Sequence, residues 1–428
     1  MTQPQGAVAV SHGLPSRRSM VGNSFGLLVG KGLQAMAGFL FWVVAARATS
    51  VREVGITAAA VSAVMMCTQL ALLGAGSAVI VAVGSGRDAR AVLDTAFSVV
   101  TGASILLGLG YLLIASRLDG NGTAAAGTPA FWLVFVTAVV AGTLMIVLDQ
   151  ANVAFGRGGS STPRYGLAGV ATIAAVVWVG WQAGEPDAVV MFACWSMGAV
   201  VACVVGAVQL RRLIDYRYRP SLRLRQSRRL LGVGIPNQVL TLTERAPGLL
   251  IPVLIAHVVS PESAAYWYPA WMMAWAAYSA PVLMGVVHFS EGVRDPSGLG
   301  RTTRTSLTWS IGTGLAIAAV LALGATPLLH LMGAEYAEQS SGALRWLAAG
   351  LVAYAVLQAY NAVCRSRGRF AEAIAVGAGL GGLLCSATLS VSGRGVTAMA
   401  LAWVSVLAAG SVFASLRLMM MLRGAAND

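Results

Sequence analysis

Twelve apolar runs follow one another along the chain, at about 22–46, 56–83, 91–114, 130–153, 166–183, 188–209, 232–258, 264–289, 305–331, 343–364, 371–391 and 396–416. A bilayer's hydrocarbon core needs about 20 apolar residues per crossing helix, and only helices or closed barrels leave no backbone polar group exposed to lipid. Runs of this length therefore constrain the chain to one class, an all-α polytopic membrane protein of about twelve transmembrane helices. Of the 428 residues 57% are hydrophobic and 11% charged, against roughly 25% charged in a soluble domain.

Charge sets the topology. With the N-terminus inside, cytoplasmic segments hold 22 arginines, among them eight between Arg211 and Arg229, and outer segments hold five, namely Arg47, Arg52, Arg117, Arg345 and Arg394. That skew places both termini in the cytoplasm of a plasma (inner) membrane. The net charge of +13 thus reflects topology, and nucleic acid is not an expected partner. Lys31 and Arg245 are the two bases well inside runs; Arg345 stands at the outer edge of the tenth.

The basic stretch after the sixth run divides the chain. The expected organisation is a cytoplasmic tail at 1–20, a six-helix lobe at 21–209, a basic cytoplasmic linker at 210–231, a second six-helix lobe at 232–418 and a tail at 419–428. The linker reads as an anchor for topology, with docking of anionic lipid or of a partner as its functional alternative.

Two short repeats relate the lobes. Asn23, Ser24, Lys31 and Gln34 share about a third of a helix circumference in the first run; Asn237, Gln238, Thr241, Glu244 and Arg245 do so in the seventh. Asn23 precedes Lys31 by the same eight positions that separate Asn237 from Arg245. The fourth run ends Gln150-Ala151-Asn152 and the tenth Gln358-Ala359-Tyr360-Asn361, each running into an arginine loop. Matching positions on one membrane side imply a parallel repeat about an axis normal to the membrane. An ionised group at mid-bilayer costs on the order of 2.5–3.5 kcal/mol on insertion scales, so these polar stripes are expected to face a cavity between the lobes.

Other features read more plainly. The cysteines Cys67, Cys194, Cys203, Cys364 and Cys385 show no ligand or framework spacing and are expected to pack as small apolar residues. Glycine clusters such as Gly74-Ala75-Gly76-Ser77 lie inside runs, where close helix packing is expected. His257, His288 and His330 sit near run ends, an interfacial position, and Asn121-Gly122-Thr123 fits a glycosylation acceptor. Trp271, Trp275 and Tyr278, spaced i, i+4, i+7, suit either an aromatic belt or a wall for a sugar or apolar ligand. Asp94 and Asp149 fall close enough to the cytoplasmic surface to be solvated, and Glu244 is expected to neutralise its neighbour Arg245 as a buried pair. No metal or nucleophile motif is present, so neither a catalytic residue nor a cofactor is expected.

The run Thr326-Pro327-Leu328-Leu329-His330-Leu331-Met332-Gly333-Ala334-Glu335-Tyr336-Ala337, then Leu344-Arg345-Trp346-Leu347 and Arg365-Ser366-Arg367-Gly368-Arg369, resembles polysaccharide flippases of the multidrug/oligosaccharidyl-lipid/polysaccharide exporter superfamily. Asn23, Ala45-Ala46-Arg47, Glu53, Gly55, Leu73-Gly74 and Pro236-Asn237 extend the resemblance over nearly the whole chain. It departs from the family at Glu244-Arg245, which prolines follow, and its twelve spans differ from the fourteen typical of lipid II flippases.

What the resemblance implies is a V-shaped two-lobe transporter that moves a polyprenyl-diphosphate-linked glycan from the inner to the outer leaflet, among membrane lipids and glycan-assembly proteins. On that reading Lys31 and Arg245 hold the diphosphate. Asn23, Gln34, Gln150, Asn152, Asn237, Gln238, Gln358 and Asn361 line the sugar path, and Arg345 guides the headgroup at the outer mouth. Pro236, Pro247 and Pro252 let the seventh helix bend, and Asp149 or Glu244 couples transport to a proton or sodium gradient. A multidrug extruder of the same superfamily is expected to carry acidic cavity groups instead. A membrane-embedded glycan polymerase or ligase needs a large outer loop bearing Arg, His or Asp, and the outer connections here are short.

Overall fold

A computed structural model describes residues 17–84, 88–118, 128–182, 184–221, 224–294 and 298–424. Asn121 and the two chain ends lie outside them, as do the side chains of Asn23, Ser24 and Pro236. Nearly all the described residues are helical, and no strand occurs among them. In order they form α1 (Arg17–Ala48), α2 (Val51–Ala71), α3 (Ala75–Gly84), α4 (Ala89–Leu118), α5 (Pro129–Ala154), α6 (Ser161–Trp181), α7 (Ala188–Ile214), α8 (Leu224–Leu254), α9 (Pro261–Arg294), α10 (Leu299–His330), α11 (Ala334–Ser366), α12 (Phe370–Ser390) and α13 (Val396–Gly424). All but α3 are long and apolar enough to cross a membrane, twelve in number.

Local chemistry accounts for the helix starts. Ser50 accepts the Glu53 amide at 3.4 Å, Thr128 the Phe131 amide at 3.3 Å ahead of Pro129, and Asp187 the Val190 amide at 2.9 Å, each satisfying a donor that the first turn leaves open. The second apolar run is not one helix: Leu73 and Gly74 adopt φ of 47° and 76°, and α2 stops before them while α3 begins after. Gly76, by contrast, is a packing glycine as expected, since a Cβ there would lie 2.8 Å from Gln150 Cγ. The seventh run is helical through Pro236, Pro247 and Pro252, and its end widens to a π turn over Ile255–Val259. Its helix starts at Leu224, earlier than the run, so part of the basic linker is helical.

Each lobe repeats one packing pattern. In the first, α1 packs on α6, α6 on α7, α7 on α5, and α5 on α2 and α4; in the second, α8 packs on α12, α12 on α13, α13 on α11, and α11 on α9 and α10. The two lobes meet where α2 lies against α8 and α9. Small residues permit this: α2 carries Ala58, Ala59, Ala60 and Ala63, all buried, and at Gly55 the backbones approach so closely that a Cβ would stand 1.8 Å from the Pro261 carbonyl oxygen. Nearby, Trp42 packs on Tyr268 with ring centroids 4.7 Å apart, Arg47 Nε donates to the Leu331 carbonyl at 2.8 Å, and Arg52 faces Glu262 at 3.6 Å. These contacts gather at the end of the molecule opposite the α7–α8 linker.

The repeat register differs from the one read in the sequence. α5 and α11 both end in a Schellman-type cap, with Gly156 at φ 69° and Gly368 at φ 68°. In each, the following arginine amide returns 2.8 Å to a carbonyl, Arg157 to Asn152 and Arg369 to Cys364. Counting back seven positions from each glycine reaches Asp149 and Asn361, one helical turn away from the pairing of Asn152 with Asn361.

Candidate functional site

Between the lobes lies a cavity of about 300 Å³ walled by α1, α2, α5, α6 and α7 on one side and by α8 and α9 on the other. Lys31 and Gln34 of α1, Tyr165 of α6, Arg245 of α8, and Trp195 and Trp275 of α7 and α9 line it, and among the described residues its lining includes no carboxylate. One wall is opened by small residues. A Cβ on Gly169 would sit 2.8 Å from Ala37, and one on Gly198 2.4 Å from Thr172 Oγ1, so α1, α6 and α7 approach closely around the space.

Lys31 is tied to a polar cluster behind the wall. Its Nζ lies 2.8 Å from Asp149 Oδ2 and 2.7 Å from the Tyr165 hydroxyl, and 3.5 Å from Gln34 Oε1. Asp149 is not solvated as its position suggested; it is 5% exposed. The Tyr165 hydroxyl donates to Oδ2, while Oδ1 accepts from Ser161 Oγ at 3.3 Å and from the Arg164 guanidinium. Arg164 is fully buried whereas the Lys31 side chain is 45% exposed. The carboxylate thus has one permanent cation and one that faces the cavity, and a buried charge is tolerable only with such compensation.

The second lobe places the same interaction differently. Glu244 accepts from Asn361 Nδ2 at 2.9 Å and pairs with Arg365 at 2.7 Å. Its partner is therefore Arg365 of α11, not the adjacent Arg245, and among the described residues no carboxylate reaches ion-pair distance of Arg245. Consecutive helix positions project about 100° apart, so Glu244 turns toward α11 while Arg245 turns to the cavity.

Not every polar residue of the stripes reaches this space. Gln238 Nε2 donates to the Gln69 carbonyl at 2.6 Å, fastening α8 to α2. Gln150 packs over Gly76, Asn152 is 1% exposed within its lobe, and Asn237 is exposed on α8. Gln358 and Asn361 line a small C-lobe cavity of about 50 Å³ beside Glu244. Arg345 binds across to α10, at Thr326 Oγ1 (2.9 Å) and the Ala322 carbonyl (3.4 Å).

Of the aromatic run in α9, only Trp275 lines the main cavity. Trp271 and Tyr278 are core residues, packed on Trp403 and Tyr354. His288 is likewise buried, at 1% exposed, with its ring 2.9 Å from Thr303 Oγ1, rather than interfacial. Among the described residues no three His, Cys, Asp or Glu side chains gather as a metal site.

Sequence reading missed Arg164, Tyr165 and Ser161, because Arg164 counts as one more arginine in a cytoplasmic loop. The available signal was Pro163, which suits a helix's first turn and so places Arg164-Tyr165 inside α6.

A model of the MatE family matches residues 283–385, about a quarter of the chain. No curated protein matches the chain by sequence. Among solved structures, the inward-facing conformation of a multidrug resistance MATE family transporter of the MOP superfamily superposes with a TM-score of 0.68 at 15% identity, over 94% of this chain and 99% of that one. A mutant of a MATE transporter from Vibrio cholerae gives 0.67 at 16%, over 95% and 97%. The fold is that of MATE transporters. A third structure with the MATE fold, a MOP superfamily transporter from Pyrococcus furiosus described as having a binding pocket of reverse polarity that suggests a different function, gives 0.61 at 15%, over 96% of each chain.

Proposed function

We propose that this chain is an alternating-access transporter of an anionic, lipid-linked substrate. The substrate we assign is a polyprenyl-diphosphate-linked oligosaccharide, carried from the inner to the outer leaflet of the plasma membrane with both termini cytoplasmic. The observation that supports it is the cavity itself, to which each lobe contributes one cation, Lys31 and Arg245, and, among the described residues, no carboxylate. Counting the groups behind the walls, Lys31, Arg164 and Asp149 carry a net charge of +1, as do Arg245, Arg365 and Glu244 together. A site in a low dielectric with this balance favours a dianion.

The two lobes offer the diphosphate unequal handles. Arg245 meets it without first leaving a carboxylate. Lys31 exchanges Asp149 for a phosphate oxygen, and Arg164 keeps the carboxylate compensated meanwhile. Coupling to a proton or sodium gradient belongs to the same proposal, and Asp149 is the better candidate, because its charge balance alters when Lys31 turns to substrate. The Pyrococcus furiosus transporter lends the reading support, since reversed pocket polarity in the same fold was taken there to suggest a different function.

The second reading is a multidrug exporter, favoured by the solved MATE structures and by Trp195 and Trp275 in the wall, which suit flat apolar cations. Proteoliposomes separate the two. A labelled polyprenyl-diphosphate disaccharide should change leaflets only with the wild-type protein, and Lys31→Gln/Arg245→Gln should abolish the movement. Failure of the wild-type protein to move the disaccharide, alongside efflux of a cationic dye, would install the exporter instead.

A further inference from the structure

A second cavity, of about 560 Å³, lies apart from the first, on the flank of the N-lobe at the linker end. Its inner part is apolar, formed by Leu144 and Leu148 of α5 and Val204 and Val208 of α7. The two valines are 59% and 43% exposed, so the groove opens sideways where a bilayer would stand. Its rim is different in kind: Arg211 at the end of α7 and Arg217 and Tyr218 beyond it, with no acidic residue in the lining among the described residues. From Arg211 back to Cys203, the deepest α7 residue in the lining, the helix rises about 12 Å at 1.5 Å per residue.

The rim is built, not incidental. Asp215 turns the chain with φ 47° in the left-handed region, where an aspartate is tolerated better than most residues. The following strap is then fastened to α4. The Tyr216 hydroxyl donates to Asp94 Oδ1 at 2.7 Å, the Arg219 amide to the same oxygen at 3.0 Å, and the Ser221 amide to Ser98 Oγ at 3.0 Å. Arg90 holds the Ile214 carbonyl at 2.8 Å. Burial and the bond to Asp94 push the Tyr216 phenol well above its ordinary value, so it stays a donor. Asp94 is thereby spent on the strap, and Arg211 and Arg217 are left facing outward over an apolar slot.

We infer that this groove binds one anionic phospholipid of the membrane, its phosphate between Arg211 and Arg217 and one acyl chain along Leu144, Leu148, Val204 and Val208. Charge complementarity selects the occupant: a cationic rim at headgroup level above an apolar interior fits an anionic amphiphile, and the volume lies in the range of small-molecule sites, about 300–1,000 Å³. The bound lipid would brace the strap that leads from α7 to α8, and its binding is independent of what the central cavity carries.

The test is native mass spectrometry of the full chain released from nanodiscs of phosphatidylglycerol or phosphatidylcholine, with thermal unfolding run in parallel to confirm that each variant is folded. The expected result is one retained phosphatidylglycerol per chain and little phosphatidylcholine. Arg211→Gln/Arg217→Gln should weaken retention roughly 30-fold, the effect of two basic contacts with an anionic headgroup. Val204→Trp, which fills the slot and leaves every charge in place, should also abolish it. Retention lost with the arginines but unchanged by Val204→Trp would overturn the groove in favour of diffuse attraction to the basic linker. Equal retention of both lipids would overturn the headgroup assignment.

Discussion

Lys31 and Asp149, 118 positions apart, meet at 2.8 Å, yet the two ends of this bridge are not equivalent, because Asp149 is buried beside Arg164 and Lys31 is half exposed. Lys31→Gln leaves the carboxylate its buried arginine and should cost about 1 kcal/mol or less, the range of a partly solvated pair. Asp149→Asn leaves Arg164 buried without compensation and should cost about 3–5 kcal/mol. Thermal unfolding of the purified variants reads the difference; equal losses would mean that Arg164 is compensated elsewhere.

The second lobe yields the converse comparison. Glu244 holds Asn361 and Arg365 of α11 to α8, and the Arg365 side chain is only 14% exposed. Glu244→Gln should therefore destabilise by about 2–3 kcal/mol, within the range for hydrogen bonds to charged groups. Arg245→Gln should leave the unfolding midpoint nearly unchanged. A large loss in Arg245→Gln would show that this arginine is structural, and the cavity assignment would fall with it.

Gly55 controls how closely the lobes meet. A methyl group there would stand 1.8 Å from the Pro261 carbonyl oxygen, so Gly55→Ala requires α9 to withdraw by roughly 2 Å to restore an ordinary contact. We expect a lower unfolding midpoint, together with faster thiol labelling of Tyr268→Cys, whose ring packs on Trp42 in the same contact. Labelling at the wild-type rate would show that the interface repacks without opening.

The class of the fold was legible because run length is a property of single segments. Residues 22–46, for instance, need no partner to be read as a span. The two central cations were legible for a related reason: Lys31 and Arg245 stand out against an apolar background, and the structure sets both on the lining of one cavity. What stayed hidden depends on pairing. Glu244 looked bound to Arg245 by adjacency, but neighbours on a helix diverge and Arg365, more than a hundred positions away, reaches it instead. Arg164 looked like a loop charge until α6 wound around it. The one-turn shift of the repeat had the same origin, since Gln-Ala-Asn identity counts letters whereas the caps at Gly156 and Gly368 report backbone geometry.

Alternating access would require the contacts at the end opposite the linker to separate. Arg52 and Glu262 face each other across the lobes at 3.6 Å. In a background with the five cysteines replaced, Arg52→Cys/Glu262→Cys joined by a short bifunctional maleimide should stop transport while leaving substrate binding intact. Each single cysteine variant, treated alike, should transport normally. Unimpaired transport by the linked protein would mean that these ends never part.

Reversing one cavity charge should redirect selectivity. Arg245→Glu changes the central cavity by two charge units at a residue that leaves no ion-pair partner behind among the described residues, so folding is expected to survive it. A close pair is worth on the order of 1–4 kcal/mol between the dielectric of bulk water and that of a protein surface. The variant should accordingly bind a polyprenyl-diphosphate glycan at least about tenfold more weakly. It should bind a flat organic cation more tightly, through the introduced carboxylate and the nearby Trp275. Equilibrium binding of both ligands to wild type and variant decides it. Unchanged glycan affinity would remove Arg245 from the site, whereas weaker binding of both ligands would point to a collapsed cavity and not to its charge.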